Sequence, residues 1–276
     1  MRELFVTDLD GTFLNKKAQV TEKSASLINE FVKRGGYFTF ATARTASSAV
    51  RIVNDVDVNV PCILMNGVSI YDIREKRYIK NEYFSRETAL KITELFEESG
   101  VIPFMYRIER SVLTTHWFDF QCREMKEFFD MRGSMPDRPF IQCERLRYVT
   151  DDKVVYFSVQ GKQGDLQRMA DLLDKEDNAS YAFYRDVYNT DIFFLEVFSK
   201  SASKSNGVRF IKEYGGFDKV TCFGDNLNDL PMFEVSDRKI AVANAKDELR
   251  FAADEVIGDN ESDSVAAWIY ERNMNQ

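Results

Sequence analysis

The sequence predicts an α/β fold: a Rossmann-like, doubly wound parallel-sheet core interrupted by an inserted α+β domain. Three observations predict it. Short apolar runs alternate with amphipathic helical patterns in the first 83 residues, the pattern breaks in an aromatic-rich, turn-rich middle, and the alternation resumes after about residue 190. The expected division is 1–83 for the first part of the core, 84–190 for the insertion and 191–276 for the second part. A chain of 276 residues suits two domains, because single cores stop growing near ~250 residues.

Taken in order, Leu4-Phe5-Val6 is the first buried strand. Thr21 can cap a helix whose apolar positions Leu27, Ile28, Phe31 and Val32 follow the 3.6 period, and Gly35-Gly36 ends it. Tyr37 to Ala41 is the second strand and Pro61 to Met65 the third; Val68 to Phe84 alternates around a charged turn at Glu75-Lys76, as a hairpin would. The insertion opens with an amphipathic helix through Ala89, Ile92, Leu95 and Phe96. An aromatic stretch containing Trp117, Phe118, Phe120, Phe128 and Phe129 follows, and core or domain surface is the expectation for it. Lys153 to Val159 reads as a strand, Leu166 to Leu173 as a helix, and Ser180 to Val197 as two strand-like runs. Val220 to Phe223 returns to the buried-strand pattern, with helices predicted over Asn206 to Tyr214, Asp247 to Ala253 and Asp263 to Glu271.

Composition narrows the function. A net charge of -8 and a pI near 5.0 would repel a phosphate backbone, so no nucleic-acid partner is expected. Any anionic ligand must be met by a local pocket. Hydrophobic residues make up 44% of the chain and the mean hydropathy is -0.36, as in soluble proteins. The opening MRELFVTDLD lacks a signal-peptide pattern and no apolar run is long enough to span a bilayer, so the expectation is a cytoplasmic protein without membrane association. Cys62, Cys122, Cys143 and Cys222 lie far apart without C-x-x-C spacing, which argues for reduced thiols.

Two acidic clusters carry the chemistry. Asp8-Leu9-Asp10-Gly11-Thr12 follows the first strand, with carboxylates at i and i+2 on one side, at the carboxyl end where open α/β sheets bind ligands. Alone, this segment reads better as a strand-ending turn. A second cluster, Gly224-Asp225-Asn226-Leu227-Asn228-Asp229, follows another short apolar strand. If these carboxylates gather, each pair ~4 Å apart costs about 4 kcal/mol at an effective dielectric of 20, so a cation is required. The donors are oxygens and the only histidine, His116, lies in the insertion, so magnesium is favoured over zinc; the spacing does not match a calcium-binding EF-hand. Thr42, after the second strand, can offer a hydroxyl and nearby N–H groups to phosphate, although a helix cap is the alternative. Lys204 opens a predicted helix, where a cation opposes the dipole; a solvated lysine is the plain reading and a phosphate-facing role the functional one.

The four segments DLDGT (8–12), ATAR (41–44), SK (203–204) and GDNLND (224–229), in this order, resemble the motifs of the haloacid dehalogenase-like superfamily, and within it the Cof-type phosphatases with a class IIB cap. Two positions depart from that pattern: Ala43 stands where the family usually has glycine, and Asp263-Ser264-Val265-Ala266 where it usually has D-G-V-A. The resemblance implies that the insertion is a cap and that the chain hydrolyses small phosphate monoesters, sugar phosphates first, through an aspartyl-phosphate. It implies Asp8 as nucleophile and Asp10 as acid and base. Magnesium would be held by the Asp8 carboxylate, the Asp10 backbone carbonyl and Asp225, with Asp229 behind them. Leu9, Thr42, Ala43, Lys204 and Asn228 would hold the phosphoryl oxygens. A phosphomutase on the same scaffold and a non-catalytic phospho-ligand sensor are the alternatives. Arg107, Arg110, Arg132 and Arg185 are cap residues that could meet a substrate, without a basis in sequence for choosing among them, and the oligomeric state is open.

Overall fold

The computed structural model describes residues 1–132, 139–186 and 189–274. The chain forms two compact units, Met1–Lys80 with Ser203–Gln276, and Asn81–Ala202. The first segment of the core unit contains β1 (Glu3–Thr7), α1 (Glu22–Lys33), β2 (Tyr37–Phe40), α2 (Ala46–Ile52), β3 (Cys62–Leu64), β4 (Ser69–Asp72) and β5 (Arg77–Asn81). The inserted unit contains α3 (Arg86–Ser99), β6 (Phe104–Glu109), β7 (Val112–Trp117), α4 (Arg123–Arg132), β8 (Phe140–Gln142), β9 (Val154–Gly161), α5 (Gln163–Leu173), β10 (Ala179–Arg185) and β11 (Phe193–Ser199). The second core segment adds α6 (Lys204–Gly215), β12 (Lys219–Gly224), α7 (Leu230–Glu234), β13 (Arg238–Val242), α8 (Asp247–Ala252), β14 (Glu255–Ile257) and α9 (Ser264–Met274).

The core sheet is parallel, in the order β14-β13-β12-β1-β2. A parallel bridge between Ala41 and Ile63 sets β3 beside β2, and β3, β4 and β5 form a meander. The charged turn falls where expected, with Lys76 in the left-handed region at φ 52°. Leu4, Phe5 and Val6 of β1 are fully buried. The Phe5 ring meets Phe31 of α1 edge-on at 5.4 Å and Trp268 of α9 at 6.4 Å. Burying a ring of this kind contributes roughly 1.5–3 kcal/mol, so β1 is well anchored. Thr21 caps α1 by accepting from the Ser24 N–H, as its sequence position predicts. Asp263, from the divergent D-S-V-A segment, accepts from the Thr21 and Ser24 hydroxyls and so ties the start of α9 to that of α1.

The expected span of the insertion, 84–190, stops short of β11. That strand pairs with both β10 and β9, so its hydrogen bonds and side chains belong to the inserted sheet and the unit runs to Ala202. Its six strands follow the order β10-β11-β9-β6-β7-β8 and all pair antiparallel except β7 with β8. Phe96 of α3 packs on Phe157 of β9 at 5.5 Å. The aromatic stretch is half-buried: Trp117 stacks on Phe120 at 4.8 Å, and the buried Phe104 gathers Phe120, Phe128 and Phe140. The strands β13 and β14 are too short and mixed in composition to stand out from sequence; pairing along β12 defines them. All four cysteines are free thiols. Among the described residues, no helix is long and apolar enough to cross a membrane.

Candidate active site

In the core sheet the first chain segment builds outward from β1 through β2, and the second builds the other way from β12. The order therefore reverses between β1 and β12, and open α/β sheets bind ligands at the carboxyl ends of such strands. Asp8 follows β1, and its N–H still donates to the Phe223 carbonyl of β12 at 2.9 Å. Asp225 follows β12 directly, and Thr42 stands one residue beyond the Ala41 bridge that extends β2.

Lys204 is the first residue of α6, whose start is fixed by the Ser203 side chain accepting from the Asn206 N–H. The lysine is buried, and its Nζ donates to Asp8 Oδ1 at 2.5 Å and Asp229 Oδ1 at 2.7 Å. The cost of a cation at a helix start is thus offset by two carboxylates. Asp229 is fully buried, and its other oxygen accepts from the backbone N–H groups of Asp225 at 3.0 Å and Asn226 at 3.1 Å. It therefore shapes the loop that presents Asp225. The Thr12 hydroxyl donates to Asp225 Oδ1 at 3.0 Å and joins the two acidic segments directly. Gly11 permits that approach: its φ is 82°, and a Cβ there would lie 2.4 Å from Asp225 Oδ2.

Carboxylate oxygens of Asp8, Asp225 and Asp229 lie within 4.8 Å of one another. Burial pushes the Asp8 carboxyl well above the usual range; Lys204 opposes this, while Asp229 and Asp225 add to it. Burial, then the Asp229 charge, raises Asp225 to about 6. One lysine does not neutralise three carboxylates, and the donors are hard oxygens, so a divalent magnesium-type cation fits the set. Since both Asp229 oxygens already hold donors, Asp8 and Asp225 have the carboxylate oxygens to offer a cation.

The Asp10 side chain stands apart from this cluster. It is half-exposed and gripped by Arg44, whose Nε donates to Oδ2 at 2.7 Å and Nη2 to Oδ1 at 2.5 Å. Thr42 is buried; its Oγ1 accepts from the Arg44 N–H at 3.2 Å, so the ATAR segment orients Asp10 as well as presenting Thr42. Ala43 is half-buried and has a negative φ, so its methyl group meets no left-handed strain where glycine is usual. Leu9 is buried, with its carbonyl accepting from the N–H groups of Thr12, Phe13 and Leu14. Asn228 is exposed in the short 3-10 turn Leu227–Asp229.

Thr12 and Arg44 carry no role by sequence alone, although both lie inside the DLDGT and ATAR segments. Their signal was positional, a hydroxyl and a guanidinium each within two residues of a carboxylate or phosphate candidate. In the inserted unit, Arg107 is held by Asp151, Arg132 lies over the Phe128 ring at 4.2 Å and Arg185 over Phe193 at 5.3 Å. Arg110 sits in the left-handed turn between β6 and β7 at φ 49°. His116 is buried and neutral, its pKa pushed down to about 4 by burial and by Arg107, as a structural residue would be.

Residues 5–269 match the family model of haloacid dehalogenase-like hydrolases. The pyridoxal phosphate phosphatase YbhA of Escherichia coli (strain K12) is 24% identical over 276 residues, which cover 95% of this chain and 96% of that protein. The structure of TM0651 from Thermotoga maritima aligns with a TM-score of 0.78 at 26% identity, covering 99% of this chain and 97% of the other. The HAD subclass IIB sugar phosphatase BT4131 has the same fold, with a TM-score of 0.72 at 18% identity and coverage of 99% and 100%. The resemblance to Cof-type, class IIB phosphatases holds along nearly the whole chain. It is an enzyme, and it belongs to the haloacid dehalogenase-like hydrolase family.

Proposed function

We propose that this hydrolase is a magnesium-dependent phosphatase of small phosphorylated metabolites that works through an aspartyl-phosphate on Asp8. The observation that carries the reading is the Asp8 carboxylate, buried just after β1, bonded to Lys204 and adjoined by Asp225. A buried carboxylate between a fixed ammonium and a cation-binding partner suits a nucleophile for an anionic ester, because its own repulsion of the phosphate is offset.

Asp8 attacks phosphorus in line, and the bond to the ester oxygen breaks as Asp10 gives that oxygen a proton. In the second step Asp10 takes a proton from water, whose oxygen attacks the phosphorus of the aspartyl-phosphate, releasing phosphate and restoring Asp8. Both Asp10 oxygens accept from Arg44 in this structure, so the Asp10 carboxyl leaves that pair to carry the proton it gives. Thr42, Lys204, Asn228 and the backbone N–H groups near Leu9 and Ala43 hold the phosphoryl oxygens. The Asp8 and Asp225 carboxylates and the Asp10 backbone carbonyl would hold magnesium, which supplies charge neutralisation at the phosphoryl group. Asp229 contributes by shaping the Asp225 loop.

Sugar phosphates are the first substrate class in this reading, and a cytoplasmic setting without nucleic-acid or membrane partners belongs to it. Relatives named for pyridoxal phosphate and for sugar phosphates support a small phosphorylated metabolite. The test is phosphate release from a panel of phosphate monoesters with and without magnesium, for the parent and Asp8→Asn. Magnesium-dependent release that disappears in the variant is expected. Equal turnover in Asp8→Asn would sink the mechanism.

A further inference from the structure

Three neighbouring parallel strands of the core, β12, β1 and β2, deliver Asp225, Asp8 and Thr42 from their carboxyl ends. The next strand outward, β3, runs parallel to them through the Ala41–Ile63 bridge and delivers Met65-Asn66-Gly67. Their φ values are 51°, 56° and 97°, three consecutive residues in the left-handed region. Such backbone persists only where its surroundings enforce it. Here they do. The Met65 N–H donates to the Arg44 carbonyl at 3.1 Å and the Asn66 N–H to the Thr42 carbonyl at 3.0 Å. On the other side Gly67 presses on the residue before Lys204, where a Cβ would lie 2.1 Å from the Ser203 carbonyl oxygen. The turn is wedged between the segments that carry Thr42 and Lys204.

Asn66 is 8% exposed, and its Oδ1 is buried without a hydrogen-bond partner. Buried amide oxygens are normally satisfied, so a strained turn that holds one open calls for a ligand. A fully ionised phosphoryl group does not satisfy this oxygen, because its own oxygens only accept. The missing partner is an O–H or N–H donor, and in a metabolically common phosphate ester such donors lie on the alcohol half of the molecule. We propose that Asn66 is a specificity-determining residue whose Oδ1 accepts a hydrogen bond from a hydroxyl of the alcohol half, close to the ester carbon, so that the site selects polyol or sugar phosphates over plain alkyl phosphates. This rests on the phosphatase reading above.

A site built around an acceptor discriminates against the analogue lacking the donor, because the acceptor is then left bare. The pair to compare is glycerol 1-phosphate and propyl phosphate, which differ in hydroxyls alone. The parent should favour the glycerol ester in kcat/KM, and Asn66→Gly, which keeps the left-handed backbone free of strain, should reduce that preference by about tenfold or more. Asn66→Asp, with an acceptor oxygen in the same place, should restore part of it. The ratio is read from two substrates on one protein sample, so a general loss of folded enzyme cancels. Release of phosphate from both esters with a ratio unchanged by Asn66→Gly overturns the Asn66 assignment alone, as does a parent without preference. A parent that releases phosphate from neither ester, nor from any member of the phosphate-ester panel, overturns the phosphatase reading and this inference with it.

Discussion

Replacing Asp225 by asparagine removes one negative charge from the Asp8, Asp225 and Asp229 cluster while keeping an oxygen to accept from the Thr12 hydroxyl. In the folded protein Asp225 is raised from the usual 3.8 to about 6, chiefly by burial and next by Asp229. A raised folded pKa means that the native state holds its proton more tightly than the unfolded chain. Stability is therefore complete below pH ~4 and is lost as pH rises through ~6. A shift of about 2 units corresponds to about 3 kcal/mol at pH 7, and to under ~1 kcal/mol at pH 4. In EDTA, Asp225→Asn should thus be more stable than the parent by up to about 3 kcal/mol at pH 7, with the two nearly equal at pH 4. Magnesium should reverse the order: at about 100 times the dissociation constant it adds about 2.7 kcal/mol to a protein that binds it, and the variant should gain little of this. Urea denaturation at both pH values, with EDTA and with magnesium, reads all four numbers. A variant less stable than the parent in EDTA at pH 7, or one with the full magnesium gain, would refute the reasoning that Asp225 is a strained cation ligand.

Lys204→Met leaves Asp8 and Asp229 buried without their shared cation; breaking such a pair costs roughly 3–5 kcal/mol, and an unchanged urea midpoint would show that the ion pair is not structural. Gly67→Ala must fit a Cβ where 2.1 Å separates it from the Ser203 carbonyl oxygen, at φ 97°, so a loss of roughly 2 kcal/mol or more is expected in the same assay. Tolerance of alanine would mean that the Asn66 turn is free to move. Glu196 of β11 is raised from 4.5 to about 7 by burial, and its Oε2 lacks a partner. Its folded pKa lies above its unfolded one, so stability is present below pH ~4.5 and lost as pH rises through ~7; Glu196→Gln should lessen that loss by roughly 3 kcal/mol at pH 8, and parallel pH profiles would contradict it.

Sequence by itself determined the class of fold and the chemical inventory. Short apolar runs ending in acidic residues, a helical pattern capped by Thr21, and four ordered motifs are local signals, and local backbone geometry honours them. It also placed Lys204 against its own helix dipole, a local conflict that pointed to use. Tertiary structure alone decided where the inserted unit ends, because β11 is assigned by the strands it pairs with and not by its own residues. It alone turned the Asp10 side chain toward Arg44, committed both oxygens of Asp229, and left Asn66 Oδ1 without a partner in the turn whose backbone bonds Thr42. These arrangements depend on contacts between separate segments of the chain, as between Lys204 and Asp229, Arg44 and Asp10, or β9 and β11, or on a donor that is missing, and neither leaves a period or a motif in the chain.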